Sequence, residues 1–546
     1  MIILFFLLQL ENLELDIPIE ESSYQSELEY LLDHPLNPNR ARIEDWLRIP
    51  FLTPVDAYRL VENRGSYKSS EDIIRSGISR DKLTLLKPFI RIGKIRRSKK
   101  LRLRWRYQIF NLDSLEDARL YTKTTARLGS YEFFFTTEKD PYEDSYFDYL
   151  GYGLVIKGTG INLGLGRYDL ELGEGVILGP EPFLFLKDYN FQSPRRGIIP
   201  YTKVAENDGF YGIALSYNGL YAFLSRFRLD AVVSDDTIRG IDYTGSHKDS
   251  ATIADKDRLR EDILGIAYQF SIDDNIVGLK GYHLNYRPGI FPDDSLPFTG
   301  EKINLFGLDF RRYGRNGEVF FEAGLADRTP GLISGFVFRF GDLGASGNWG
   351  YYPPNFYSPH GGIVETGKQV ISTNLTFLKR EYELGLRSYY QIRLANDDAY
   401  YDLRPYLKNR FGPFTTDLEL RFRTGDVPTY HRGSSFRIIY KGDIIKIFVR
   451  MVERTYPDEP SSFYTGLGFS TIINFLRLTG GIGRYLCPGG PIYIYQPDLP
   501  GRFNTVVLTD KGVEYYLILS LNFLKRSRVY LKVSDRVLSL QTDLTF

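Results

Sequence analysis

The amino-acid sequence predicts a mainly β fold: a large transmembrane antiparallel β-barrel of about 18 to 24 strands, preceded by a small all-α domain. Three observations point there. Segments of roughly ten residues in which apolar and polar side chains alternate recur from residue 100 to the C-terminus, with the strand period of two. Aromatic residues make up 15% of the chain, with Tyr 41, Phe 38 and Gly 51, a mixture suited to strands, tight turns and the aromatic girdles of membrane boundaries. The final segment, Val537 to Phe546, alternates again and stops on an aromatic.

Composition narrows the class further. The 546 residues carry Lys+Arg 69 against Asp+Glu 68, a net charge of +1, so no global basic field attracts nucleic acid. Beyond the opening residues, no stretch approaches the ~20 apolar residues of a spanning helix. The single cysteine, Cys487, cannot form an internal disulfide. His34, His247, His283, His360 and His431 lack metal-ligand spacing, and nucleotide-binding fingerprints are absent. No metal, no other cofactor and no enzyme activity is expected.

In chain order, Met1 to Leu10 is an apolar run of secretory h-region length, which makes residues 1–17 a candidate signal segment. No Lys or Arg precedes Arg40 and no Ala-x-Ala site follows, so a buried N-terminal strand is the alternative. Residues 18–92 carry helical periodicity over Glu27 to Asp33, Arg42 to Ile49, Pro54 to Asn63, Ser70 to Ser76 and Arg80 to Phe89. Pro54 stands where a helix begins, and Gly65 and Gly77 where helices end. The expected core is Leu28, Leu31, Leu32, Trp46, Leu47, Ile49, Ala57, Leu60, Val61, Ile73, Ile74, Leu83 and Leu86.

The run Leu36-Asn-Pro-Asn-Arg-Ala41, with Glu44 to Pro50, Ala57 to Val61, Gly65, Ser70 to Ile74 and Gly77-Ile-Ser79, resembles the tandem helix-hairpin-helix domain of competence-type DNA receptors. The resemblance implies that hairpin N–H groups receive a DNA phosphate. Phe51 replaces the glycine of the first hairpin, which points to a structural role there. Gly77 and Ser79 keep the second hairpin as the candidate phosphate site.

Between Asp81 and Asp113 no acid occurs, while Lys82, Lys87, Arg91, Lys94, Arg96, Arg97, Lys99, Lys100, Arg102, Arg104 and Arg106 form a basic collar. It is suited to phosphates, to an anion-selective pore, or simply to pairing with the acids between Glu11 and Asp33. Residues 93–546 are the expected barrel. Its clearest strand is Leu101 to Ile109, with Leu101, Leu103, Trp105, Tyr107 and Ile109 on one face and Arg102, Arg104 and Arg106 on the other, the arginines being candidates for the lumen. Leu154 to Leu165 reads as one strand. Gly179 to Asp208, Val233 to Leu259, Gly341 to Lys368, Thr455 to Ser462 and Tyr485 to Lys511 read as loops or plug. Asp235-Asp236, Asp293-Asp294 and Asp397-Asp398 read as solvated turns, with Ca²⁺ sites the alternative. Leu165 to Val176, Arg195 to Tyr201 and Gly240 to Lys248 together resemble bacterial outer-membrane proteins that join an N-terminal helix-hairpin-helix domain to a barrel.

The expected role is therefore an outer-membrane β-barrel with a periplasmic N-terminal domain that binds or passes an anionic polymer, DNA being the leading candidate. The candidate nucleic-acid contacts are Gly77, Ser79, Lys94, Arg96, Arg97, Lys99 and Lys100. The competing expectation is an assembly protein whose helical module docks a periplasmic partner while the barrel only anchors it. Expected partners are outer-membrane lipid, the barrel-assembly machinery, which would read the C-terminal Phe546, and either DNA or a periplasmic protein.

Overall fold

The computed structural model describes residues 31–546 except 33–34, 50–51, 79, 94–98, 111–117, 144, 146, 159, 180–194, 235–236, 243–246, 248, 293–296, 363–365, 380, 396–397, 426–430, 443, 501–503 and 525–526. The candidate signal segment 1–17 lies outside the described residues, as does nearly all of the acidic stretch from Glu11 to Asp33.

Alternation along the strands decides the architecture. In the strand Leu259–Ile272, Ile263 is 2% exposed while its neighbour Leu264 is 63% exposed, and Ile266 and Tyr268 continue the outward row. The same pattern runs round the sheet: Leu224, Phe306, Leu375, Leu384, Leu467, Ile482 and Leu517 all stand outward. Around the ring each strand runs antiparallel to its neighbours, and the strand Lys99–Ile109 pairs with Leu538–Thr545, from Arg102 opposite Thr545 to Ile109 opposite Leu538. The ring therefore closes, with 24 strands. An outer face this apolar is unstable against water and suits lipid, and closure satisfies every edge, so the barrel is a transmembrane one. No described helix is long and apolar enough to cross a membrane.

Three short strands stand outside the ring: Gly197–Pro200, Ala231–Ser234 and Thr237–Ile241. Tight turns lie at the end where the first barrel strand starts and the last one finishes, such as Tyr217 to Leu220, where Asn218 and Gly219 both take positive φ, 47° and 85°. That is the backbone of a two-residue hairpin whose twist matches the strands. The long connections lie at the opposite, loop end.

Within the described residues, helical segments form over much of the expected span; Leu28 and most of Glu27 to Asp33 lie outside the described residues, and Leu32 and Val61 are only partly buried. Helix α1 spans Ile43–Leu47, α2 Pro54–Glu62 and α3 Arg80–Leu86. Thr53 and Asp56 cap α2 reciprocally: Thr53 Oγ1 accepts the Asp56 N–H at 3.2 Å and Asp56 accepts the Thr53 N–H at 3.0 Å. Ser70–Ser76 is a 3₁₀ helix, whose three-residue turn aligns Ile73 and Ser76 on the buried face and leaves Ile74 outside the core assigned to it. Leu31, Trp46, Leu47, Ile49, Ala57, Leu60, Ile73, Leu83 and Leu86 are buried, and their cluster continues into Ile276 and Tyr313 of the barrel. Ile276 and Tyr313 share the inward register of their strands, next to turns at the tight-turn end. The module thus seats in that mouth of the barrel.

Several loop and strand assignments change, including Gly179 to Asp208, which contains Gly197–Pro200, and Val233 to Leu259, which contains Thr237–Ile241 and the helix Ser250–Ala254. Leu154 to Leu165 is not one strand but the two arms of a hairpin, Tyr149–Lys157 and Ile161–Glu171. Gly341 to Lys368 contains the strand Leu343–Tyr352, and most of Tyr485 to Lys511 belongs to the long strands Leu476–Gln496 and Asn504–Leu524. The strands Ala118–Leu128, Thr329–Phe340 and Ala399–Phe411 are additional.

Candidate functional site

At the loop end the chain leaves the strand Ile161–Glu171 and turns back into the lumen, where Leu172, Val176, Ile177 and Leu178 are buried. Gly173 makes this possible. Its φ is 80°, and a Cβ there would overlap the Lys280 amine and crowd the Glu322 carboxylate. Gly307 and Gly324, on the facing strands, leave room for Ile177 in the same way. A second loop folds in beside the first: the Gly362 N–H donates to Gly175 O at 2.8 Å, and Ser358 Oγ donates to Ile177 O at 3.3 Å.

Inward side chains of three adjacent strands grip this segment. Lys280 Nζ lies 3.0 Å from Asp309 and 2.9 Å from Glu322, and donates to Leu172 O at 2.9 Å. Glu322 accepts the N–H groups of Ile177, at 3.1 Å, and of Glu174. Arg195 bridges Glu174 and Asp309, the latter at 2.7 Å, and Arg311 binds Glu174 through Nε at 3.0 Å. Arg196 pairs with Glu171. Buried ions persist only where opposite charges and hydrogen bonds compensate their desolvation, which this network provides. It locks the inward segment to the wall as a plug.

A second stretch of wall, several strands further round the ring, is different. Arg404, Arg421 and Arg423, from neighbouring strands, converge on Asp402, at 2.8 Å for Arg404 and 2.9 Å for Arg421 Nε. Arg437 reaches Asp417 at 2.6 Å and Arg387 reaches Glu419 at 3.3 Å. The Arg404 and Arg421 side chains are 19% and 18% exposed, against 1% for Lys280. Water reaches this arginine stripe but not the plug network.

Two groups outside the spanning strands have displaced pKa values of structural consequence. Burial opposes the charge of His360, but the nearby Glu261 carboxylate, 3.0 Å from Nε2, together with Asp208 and Asp169, holds its pKa above the usual imidazole value. His360 also stacks on Phe210, with ring centroids 4.4 Å apart. In the helical module, burial would raise Asp56, but the adjacent Lys82 ammonium and the Thr53 bonds bring it below the ordinary carboxylate value.

Of the residues singled out from the sequence, Ser79, Lys94, Arg96 and Arg97 lie outside the described residues. Gly77 has φ 82°, donates its N–H to Ile74 O at 2.9 Å and lies beside the Arg59 guanidinium. Lys82 and Lys87 pair with Asp56 and Glu71. Lys99 and Lys100 open the first strand. Arg102 faces Thr545 across the barrel seam, Arg104 binds Asp543 at 2.9 Å, and Arg106 donates to Gln541 at 2.7 Å and to Pro500 O at 3.1 Å. Phe546 is exposed, and its backbone exchanges two hydrogen bonds with Leu101. Sequence reading missed the arginine stripe. Its visible trace was the alternation Arg421-x-Arg423 in the segment Leu418 to Arg423.

No model of a known protein family matches the chain, and no curated protein matches it in sequence. Solved structures do. A variant of the FrpB iron transporter from Neisseria meningitidis is similar over 82% of this chain and 82% of its own, at 9% identity and TM-score 0.38. The P pilus usher PapC translocation pore covers 81% and 98%, at 8% identity and TM-score 0.36. The ferric enterobactin receptor of Pseudomonas aeruginosa covers 82% and 81%, at 9% identity and TM-score 0.38. At such TM-scores the architecture rests on the strand pairing of this chain itself.

Proposed function

We propose that the chain is an outer-membrane β-barrel that passes an anionic polymer, DNA being the leading candidate, with the helical module in the periplasmic mouth and the plug controlling the lumen. The observation that carries this reading is the water-accessible stripe of Arg404, Arg421 and Arg423. A lumen wall rich in guanidinium groups favours anions, and planar guanidinium groups suit phosphate oxygens. Large closed barrels of even strand number whose first strand starts, and last strand ends, at the tight-turn end fit the outer-membrane type, which supports a periplasmic helical module. Residues 18–92 are its helix-hairpin-helix domain, residues 93–546 the barrel, and residues 1–17 the signal. Gly77, Ser79, Lys94, Arg96, Arg97, Lys99 and Lys100 form the phosphate contacts at the entrance, Arg102, Arg104 and Arg106 line the lumen seam, and Phe546 is the insertion signal.

The test is DNA binding by the detergent-solubilised protein over a series of salt concentrations. The expected result is a steep loss of affinity with salt that flattens when Arg96, Arg97, Lys99 and Lys100 are changed to Gln, by about 0.9 in the log–log slope per contact removed. Absent or salt-insensitive binding would favour the second reading, in which the module docks a periplasmic protein. The apolar continuity of the module with Ile276 and Tyr313 is compatible with such an anchored scaffold.

A further inference from the structure

Above the plug, at the loop end, five side chains that are far apart in sequence meet: Glu143, Asp148, Glu206, Asp230 and His247. His247 is the hub and is 5% exposed. Its Nδ1 lies 2.6 Å from Asp148 Oδ2, and Asp148 is held in turn by Lys256 at 2.6 Å. That contact makes Nδ1 the donor and aims the lone pair of Nε2 at Asp230 and Glu206. Nε2 is buried without a hydrogen-bond partner, 3.4 Å from Asp230 Oδ2. An imidazole lone pair facing carboxylate oxygens repels them unless a cation lies between.

We propose that His247 Nε2, Asp230 and Glu206 bind a divalent transition-metal ion of the zinc class, with Asp148 as the carboxylate that orients the imidazole. The three ligand atoms lie within 4.8 Å of one another, so small side-chain movements bring each to about 2 Å from a shared ion. Asp230 is pre-set by bonds from Asn207 Nδ2, at 3.1 Å, and from the Asp257 N–H, at 2.8 Å. Glu143 is already committed, one oxygen to the His247 N–H and the other to the Asp140 N–H, which leaves the Nε2 side as the site. One imidazole and two carboxylates leave a fourth position for water or an incoming ligand, and nitrogen ligation selects zinc-type ions over Ca²⁺ and Mg²⁺.

The test uses the full chain in detergent, stripped with a chelator and titrated calorimetrically with Zn²⁺ and separately with Ca²⁺, with Co²⁺ absorption as a spectroscopic check on the ligand set. The expected result is one Zn²⁺ per chain, Ca²⁺ binding at least about 100-fold weaker, and a Co²⁺ spectrum that vanishes in His247→Ala. Asp148→Asn should weaken Zn²⁺ about 10–100-fold. Glu206→Gln, which keeps the side-chain shape while removing the charge, should weaken it at least as much. No saturable Zn²⁺ binding, or binding unchanged in both His247→Ala and Glu206→Gln, would overturn the site and mark His247 as an imidazolium held between Asp148 and Asp230.

Discussion

Lys280 holds two carboxylates, Asp309 and Glu322, in a region that water does not reach. Replacing it by Met leaves both acids facing each other across an apolar side chain, and loss of one partner of a buried ion pair costs about 3–5 kcal/mol. Guanidinium unfolding in micelles should show that loss for Lys280→Met, and a loss below about 1 kcal/mol, typical of a surface pair, would mean the network is solvated. Gly173→Ala acts at the same spot by backbone strain and steric overlap, so the inward segment should become sensitive to added protease while the barrel stays resistant. Titration reports on the loop end. A carboxyl raised from 4.5 to about 9, as at Glu206, stabilises the fold fully below the lower value, and that contribution is lost as pH climbs toward the higher one. Metal-free protein should therefore lose stability between those pH values, and Glu206→Gln should remove that part of the slope.

At the level of single elements, the two faces of a strand obey different solvents. Leu264→Arg places a charge on the lipid face and should cost about 2–4 kcal/mol near the bilayer midplane; Ser372→Arg, facing the lumen, tests whether the interior tolerates charge or only volume. Helix α2 depends on its Thr53 cap, and Thr53→Ala should cost about 1 kcal/mol, measured as a shift in thermal unfolding of the module. Asp56 adds a pH signature of opposite sign to Glu206: its lowered pKa gives stability above the ordinary carboxylate value of 3.8 that is lost on acidification through the folded value. The same two-solvent logic explains which strands were legible. In Lys99–Ile109, where Arg102, Arg104 and Arg106 alternate with Leu101, Leu103 and Trp105, the strand is plain in the sequence. Leu343–Tyr352 carries Gly344, Gly347 and Gly350, which dilute the strand signal, so the segment read as a loop. Leu154 to Leu165 failed for another reason: alternation continues on both sides of a turn at Gly158 and Gly160, and nothing bulky marks the break.

For the molecule as a whole, the barrel class and its helical preface were readable from periodicity alone, while the sites were not. The plug network joins Glu174, Arg195, Lys280, Asp309 and Glu322, and the loop-end cluster joins Asp148, Asp230 and His247, across sequence separations that no spacing rule spans. Two of the segments that carried the resemblance to barrel-joined helix-hairpin-helix proteins, Leu165 to Val176 and Arg195 to Tyr201, are the ones that fold inward and hold the plug. The proposed function turns closure of the ring, the seated module and the inward loops into a passage that is shut at rest and cationic along part of its wall. Planar-bilayer recording decides this most directly, comparing the intact chain with Gly173→Ala/Lys280→Met under a KCl gradient. The account predicts little current from the intact chain and a reversal potential of anion preference from the variant, reduced by adding Arg421→Gln and Arg423→Gln. A variant that stays silent, or one that conducts with cation preference, would contradict it.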